Sequence, residues 1–167
     1  MQQLYLTGTG ASALAVSLFR ALGLQPVGYV MLPFSAADRP AGQLLHLLPE
    51  PGAPLYNDIP CRIRLYEGRS TVVPAALDEV AAPALRRSLS ARVPMLLDDL
   101  DTALLACPEF AHAVSACLHS QHLVVSVVRD DAVGQVKRLT PPQEQLWLQA
   151  DEPDCLERLI AETKPRL

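Results

Sequence analysis

Leu4–Ser12 reads LYLTGTGAS, a short β-rich run that breaks into a glycine loop. A helical pattern follows, with Leu14, Leu18 and Leu22 spaced to form one buried face, and it stops at Gly23. Residues 27–32 then predict a second strand. Strand, glycine loop, helix and strand in this order are typical of a βαβ unit, and they predict a fold with parallel strands.

The rest of the chain continues this alternation, so we predict a single α/β domain over residues 1–167. Seven of the fifteen prolines fall between residues 26 and 60, where Gln43–Leu48 is the expected edge strand. We therefore predict an irregular, Pro-rich and hairpin insertion over about residues 33–76. Its hairpin pairs 62–66 with 70–73 around Glu67-Gly68. Other expected elements are helices at 78–89, 108–118, 131–138 and from 151, and strands at 93–97, 123–128 and 145–148.

Composition excludes several classes of protein. With 50% hydrophobic and 19% charged residues among 167, the chain is not expected to be disordered. A net charge of −4 argues against a nucleic-acid partner. The sequence has no signal-peptide pattern, no apolar run long enough to span a membrane and no C-x-x-C pair, so we expect a cytoplasmic protein with reduced thiols. Lys137 and Lys164 are the only two lysines, so an earlier site cannot use one.

The glycine loop occupies the place where such folds bind phosphate, because backbone N–H groups converge there at a helix N-terminus. In the frame G-x-x-x-x-G-K-[ST] from Gly8, the last three positions are Ala13, Leu14 and Ala15, so the final glycine, the lysine and the hydroxyl are missing. Two interpretations stay open: a tight turn with Ser12 as helix cap, or an anion site. The anion site would use Gly8, Thr9, Gly10, Ala11, Ser12 and Ala13.

A second candidate site follows the buried strand predicted at residues 93–97. Asp98 and Asp99 come directly after it. In nucleotide hydrolases with a phosphate loop, an acid at this place orients Mg²⁺ and the next carboxylate can polarise the attacking water. Asp98 is therefore the candidate Mg²⁺ ligand and Asp99 the candidate catalytic residue. The alternative is a solvated turn, and we expect solvated faces for Arg62 and Arg64 as well.

Several motifs share their order and spacing with one known family. They are Gly28-Tyr29, the alanine-rich helix at 79–89, Asp98-Asp99-Leu100-Asp101, Phe110 and the strand at 123–129. In these features the chain resembles the THEP-type nucleoside triphosphatases, which are P-loop proteins. The resemblance implies a three-layer α/β/α P-loop NTPase-like sandwich with a mostly parallel central sheet. It also implies a nucleotide and Mg²⁺ as ligands.

The departures from that family fall on the residues that would bind or hydrolyse the nucleotide. Leu14 and Ala15 replace the lysine and the hydroxyl residue, and Asp99 replaces a glutamate. Asp101 stands where the family has glycine, and a later glutamate falls on Leu104. Since phosphoryl transfer depends on positioning and charge, and one cation can contribute roughly 10³–10⁵ in rate, efficient hydrolysis of ATP or GTP is not expected.

Two functions follow from these observations. The first is a P-loop NTPase-like module with a degenerate Walker A loop, non-catalytic or very weakly active. Such a module would bind a nucleotide, another phosphate-like anion or a protein partner, with Mg²⁺ and nucleotide as cofactors or with none. The alternative is an active Mg²⁺-dependent nucleoside triphosphatase with an atypical loop that lacks lysine.

Overall fold

An eight-stranded mixed sheet forms the centre of the molecule. The computed structural model describes residues 3–48, 58–65 and 68–166. The strand order is β5-β4-β3-β2-β6-β7-β1-β8. The strands are β1 (Gln3–Thr7), β2 (Val27–Ala36), β3 (Arg39–Leu48), β4 (Asp58–Arg64), β5 (Ser70–Val72), β6 (Met95–Leu100), β7 (Val124–Val128) and β8 (Gln145–Gln149).

One half of the sheet is parallel, and it positions the candidate site. β2, β6, β7, β1 and β8 pair in parallel in that order. Leu6 pairs with Val127, so the strands end at the same edge of the sheet. This edge brings together the glycine loop after β1, the two acids at the end of β6 and the residues after β7. The predicted α/β fold with parallel strands is confirmed in this half.

The other half is an antiparallel extension where we predicted irregular chain. β2 and β3 form a long hairpin whose turn residues, Ala37 and Asp38, have φ of 48° and 58°. Two left-handed residues are typical of a hairpin turn that matches the strand twist. The expected irregularity is wrong for residues 33–48, which are strand apart from this turn. Gln43–Leu48 is not an edge either, because β3 lies between β2 and β4.

The predicted hairpin is present. β4 and β5 are antiparallel, with Ile63 paired to Thr71, and β5 is the outermost strand of the sheet on this side. Tyr66 and Glu67, to which we assigned the end of one strand and part of the turn, lie outside the described residues. The antiparallel strands therefore extend the parallel half to one side of the candidate site.

Helices cover both faces of the sheet and give it two cores. Along β1, Leu4 and Leu6 face one core with Leu18 of α1, whereas Tyr5 faces the other with Phe110 of α3. No helix in the described part of the chain is long and apolar enough to cross a membrane. The helices are α1 (Ala11–Ala21), α2 (Ala82–Ser88, preceded by a π-helical turn at Ala76–Ala81), α3 (Pro108–Leu118), α4 (Val133–Val136) and α5 (Cys155–Thr163).

Candidate functional site

The loop between β1 and α1 is shorter than its motif frame. Gly8 and Gly10 take left-handed conformations, with φ of 86° and 81°, and α1 starts directly at Ala11. The amide of Leu14 donates to the carbonyl of Gly10 at 2.9 Å, which closes the first helical turn. The residues that a phosphate loop would wrap around an anion therefore belong to that turn. What the loop offers an anion is the N-terminus of α1, whose first N–H groups lack helical acceptors.

Asp98 is held in a clamp that joins α1, β2 and β6. Ser12 Oγ donates to its Oδ1 at 2.6 Å, and the amide of Met31 donates to its Oδ2 at 2.8 Å. Only 2% of the residue is exposed. Burial raises the pKa of Asp98, and the two hydrogen bonds oppose that rise. Because the Ser12 hydroxyl is used here and Gly10 is the N-cap residue, the interpretation of Ser12 as helix cap is wrong.

Asp99 has different neighbours from Asp98. It lies where the register between β6 and β7 shifts, and its φ is 56°. Arg129 donates to both of its carboxylate oxygens, from Nε at 2.5 Å and from an Nη atom at 3.1 Å. Gln43 Nε2 donates to Oδ2 at 3.2 Å. The candidate catalytic carboxylate is therefore paired with a bidentate arginine, and this hydrogen bonding raises the pKa of Arg129.

Four of the six predicted loop residues and Asp99 line a cleft of about 490 Å³. Ser12 lines both this cleft and a groove along α1, whereas Asp98 and Ala13 line only the groove. The two neighbouring acids are thus divided between two cavities, and Gly10 lines neither of them. The cleft is lined by Gly8, Thr9, Ala11, Ser12, Asp99 and the residues from Val127 to Asp131.

A second cavity of about 390 Å³ adjoins this cleft and shares Asp130 with it. Trp147 stacks on Tyr5 with ring centroids 4.5 Å apart. The Nζ atom of Lys137 lies 5.1 Å from the centre of the Trp147 ring, which is within the range of a cation–π contact. Lys137 and Arg158 both line this cavity. Lys137 therefore offers this cavity a positive charge, whereas Arg158 is paired with Glu152 of the same lining at 2.6 Å.

Asp101 does not join either cavity, because it forms a buried ion pair with Arg62 of β4. Their side chains are 6% and 13% exposed. The other carboxylate oxygen of Asp101 accepts a hydrogen bond from the amide of Leu104 at 2.8 Å. The expectation that Arg62 lies on a solvated face is wrong. Arg64, two residues along the same strand, is exposed as expected.

The side-chain oxygens that could hold Mg²⁺ here are Ser12 Oγ and the Asp98 carboxylate. A hydroxyl and a carboxylate suit Mg²⁺, but this ion also keeps several waters in near-octahedral geometry. An ion between these two groups would have to break their 2.6 Å hydrogen bond and admit water to a nearly closed carboxylate. Within the described residues, no three His, Cys, Asp or Glu side chains are grouped to hold a metal. Asp98 as a Mg²⁺ ligand stays a prediction.

Sequence reasoning missed the partners of both acids. Arg129 directly follows the buried strand β7, so the rule that picked out Asp98 at the end of β6 would also have found it. Met31 and Gln43 gave no such signal. Met31 lies on β2, whose pairing with the distant strand β6 was not predicted, and Gln43 lies on β3, whose antiparallel pairing with β2 was not predicted either.

Replacing Asp98 with asparagine tests the cost of burying this carboxylate. Because burial raises its pKa in the folded chain, the folded state holds the proton at pH values where the unfolded state has lost it. Stability from this group is therefore lost as pH rises from about 3.9, the unfolded value, through the higher folded value. We expect the free energy of unfolding of Asp98→Asn to rise relative to that of the wild type as pH increases across that range. Urea unfolding followed through the single tryptophan, Trp147, measures the difference.

Asp130→Asn is the matched control, because Asp130 is an exposed aspartate next to the same cleft. Its side chain is not buried, so its stability across the same pH range is the reference for Asp98→Asn. Asparagine at position 98 can still accept a hydrogen bond from Met31 N–H and offer its amide to the Ser12 hydroxyl. If the Asp98→Asn difference stayed flat with pH, burial would not be raising the pKa of Asp98.

Two solved structures match this fold over nearly the whole chain. The crystal structure of THEP1 from the hyperthermophile Aquifex aeolicus is 16% identical, has a TM-score of 0.71, and the match covers 97% of this chain and 98% of that one. The solution structure of a human cancer-related nucleoside triphosphatase is also 16% identical, with a TM-score of 0.72 and coverage of 99% and 97%. No protein-family model and no curated protein matches the sequence. The chain thus resembles the THEP-type P-loop nucleoside triphosphatases and has their α/β fold.

Proposed function

We propose that the chain is a non-catalytic domain of P-loop NTPase-like fold that binds a nucleotide or another phosphate-like anion weakly. One observation carries the proposal: the candidate Mg²⁺ ligand and the candidate catalytic carboxylate both have protein partners. Asp98 accepts hydrogen bonds from Ser12 and Met31, and Asp99 is paired with Arg129. A metal ion or a water molecule at either carboxylate would have to compete with these contacts.

Two features support binding of an anion. The N-terminus of α1 opens on the cleft through Ala11 and Ser12, and a helix N-terminus favours negative charge. The adjoining cavity adds Lys137, while its other cation, Arg158, is paired with Glu152. A chain of phosphates could therefore lie along the cleft with its charge shared between the helix and Lys137. Affinity should be low, because Asp99 and the two aspartates after Arg129 also line the cleft.

Lys137→Ala tests this proposal. Calorimetric titration with ATP, GTP and inorganic triphosphate, in EDTA, should show weak binding by the wild type. The variant should bind each ligand about fivefold more weakly, which corresponds to about 1 kcal/mol for a partly exposed ion pair. Thermal unfolding gives a second readout, since a ligand at 100 times its Kd adds about 2.7 kcal/mol of stability.

Arg138→Ala is the matched control, because it removes an exposed positive charge next to Lys137 that does not line the cavity. Its affinities should equal those of the wild type. No detectable binding of any of the three anions would overturn the proposal. An equal loss in both variants would show that only overall charge matters.

The alternative function, an active Mg²⁺-dependent nucleoside triphosphatase, draws on the position of Arg129. Its guanidinium lines the cleft beside the glycine loop and could supply the cation that Leu14 does not. Phosphate release that requires Mg²⁺ and disappears in both Asp98→Asn and Asp99→Asn would establish this alternative. A protein partner and a cytoplasmic location stay predictions from the sequence.

A further inference from the structure

A groove of about 860 Å³ runs along α1 and shares Ser12 with the cleft beside the glycine loop. Its walls come from α1 and from the strands β2, β3 and β6. Two of its apolar side chains are unusually exposed, Val16 at 38% and Leu32 at 39%. Pockets of this size and character generally bind small molecules. The main apolar wall residues are Val16, Phe19, Leu24, Val30, Leu32 and Leu48.

Asp98 and Arg20 are the two charged residues that line the described part of this groove, and their opposite charges distinguish its two ends. Ser12, which holds Asp98, and Arg20 lie eight residues apart on one face of α1, a separation of about 12 Å. Asp98 is closed to a ligand, because both oxygens accept hydrogen bonds within the protein. Arg20 is exposed, and no ion pair to it is present among the described residues. Ser17, one turn earlier, lines the same wall.

We propose that this groove binds a small amphiphilic carboxylate, such as a medium-chain fatty acid. The apolar chain would lie between α1 and β2, where it covers Val16 and Leu32. The carboxylate would pair with the guanidinium of Arg20, whose planar fork matches a carboxylate. The charges set this direction, because the buried Asp98 repels an anionic head at the other end. Charge complementarity with an unpaired arginine thus selects the anion over a neutral or cationic amphiphile.

This site does not depend on the function proposed for the cleft beside the glycine loop. Asp99, Arg129 and Lys137 do not line the groove, and of the cleft residues only Ser12 lines both. A failure of nucleotide binding would therefore leave the groove proposal intact.

The test uses decanoate and decanol as probes, each below its micelle concentration, in calorimetric titrations of the full chain. Decanoate should bind to the wild type more tightly than decanol does. Arg20→Gln should weaken decanoate binding about fivefold, the size of a partly exposed ion pair, and leave decanol binding unchanged. Arg138→Gln, which removes an exposed arginine outside the groove, should change neither.

Two further variants test the apolar walls. Val16→Glu on α1 and Leu32→Glu on β2 each place a carboxylate in the groove at a side chain that is already more than a third exposed, so both should fold. Each should abolish binding of both probes. The proposal is overturned if decanoate does not bind, if Arg20→Gln binds it as the wild type does, or if both glutamate variants keep the affinity. It is also overturned if the wild type sediments as a dimer that Val16→Glu dissociates, because the groove would then be a contact between copies.

Discussion

Gly28→Ala will remove a large share of the folding stability of this domain. Gly28 has a φ of 109°, a backbone conformation that residues other than glycine rarely adopt. A Cβ atom there would lie 2.1 Å from the carbonyl oxygen of Leu96, to which Gly28 is paired in the parallel ladder between β2 and β6. This neighbour is backbone in the middle of the sheet, so it cannot turn aside as a side chain would. We expect a loss of at least about 4 kcal/mol, a large share of the usual total.

Gly10→Ala is the control that separates backbone strain from the clash. Gly10 also has a positive φ, 81°, but a Cβ atom there would meet nothing within 4 Å. Left-handed strain alone should cost about 1–2 kcal/mol. Urea unfolding followed by the fluorescence of Trp147 gives both values. Equal losses in the two variants would mean that the sheet can shift to accept the methyl group, and the explanation from the β2–β6 contact would fail.

Gly28 also shows how far the sequence could predict this fold. The βαβ opening was predictable because its signals are local: a strand, two glycines and one apolar helix face within residues 4–32. The Gly28-Tyr29 pair was recognisable as a motif. Its physical reason, the close approach of β6, depends on a strand that lies far along the chain, and no local pattern contains that information.

The same limit applies to the candidate site. Asp98 and Asp99 lie near the carboxyl end of β6, as the apolar run before them predicted, although β6 continues through both acids to Leu100. Their partners did not follow from local patterns, because Met31 of the predicted second strand lies beside a strand far along the chain and Gln43 lies on the unpredicted antiparallel hairpin. Whether an acid is open to a ligand depends on such distant partners. The sequence could therefore place these two acids better than it could predict their contacts.

The buried ion pair between Arg62 and Asp101 gives the second large effect. Arg62→Met replaces the arginine on β4 with an unbranched apolar side chain. It leaves the Asp101 carboxylate, 6% exposed, without its cation. Removing one partner of a buried pair costs about 3–5 kcal/mol, because the remaining charge stays uncompensated. We expect a loss in this range by urea unfolding. Arg64→Met, at an exposed arginine on the same strand, should stay within about 0.5 kcal/mol of the wild type.

A double-mutant cycle shows whether the loss comes from the Asp101 carboxylate that Arg62→Met leaves without its cation. Asp101→Asn keeps an acceptor for the amide of Leu104, which donates to Asp101 at 2.8 Å, and removes the negative charge. Added to Arg62→Met, it should recover about 2 kcal/mol, since contacting residues couple by about 0.5–3 kcal/mol. Simple addition of the two single losses would mean that each side chain stabilises the fold separately. Recovery would instead explain why an aspartate can occupy a position where the THEP-type pattern has glycine: the arginine on β4 compensates its charge, so the two side chains stabilise the fold only together.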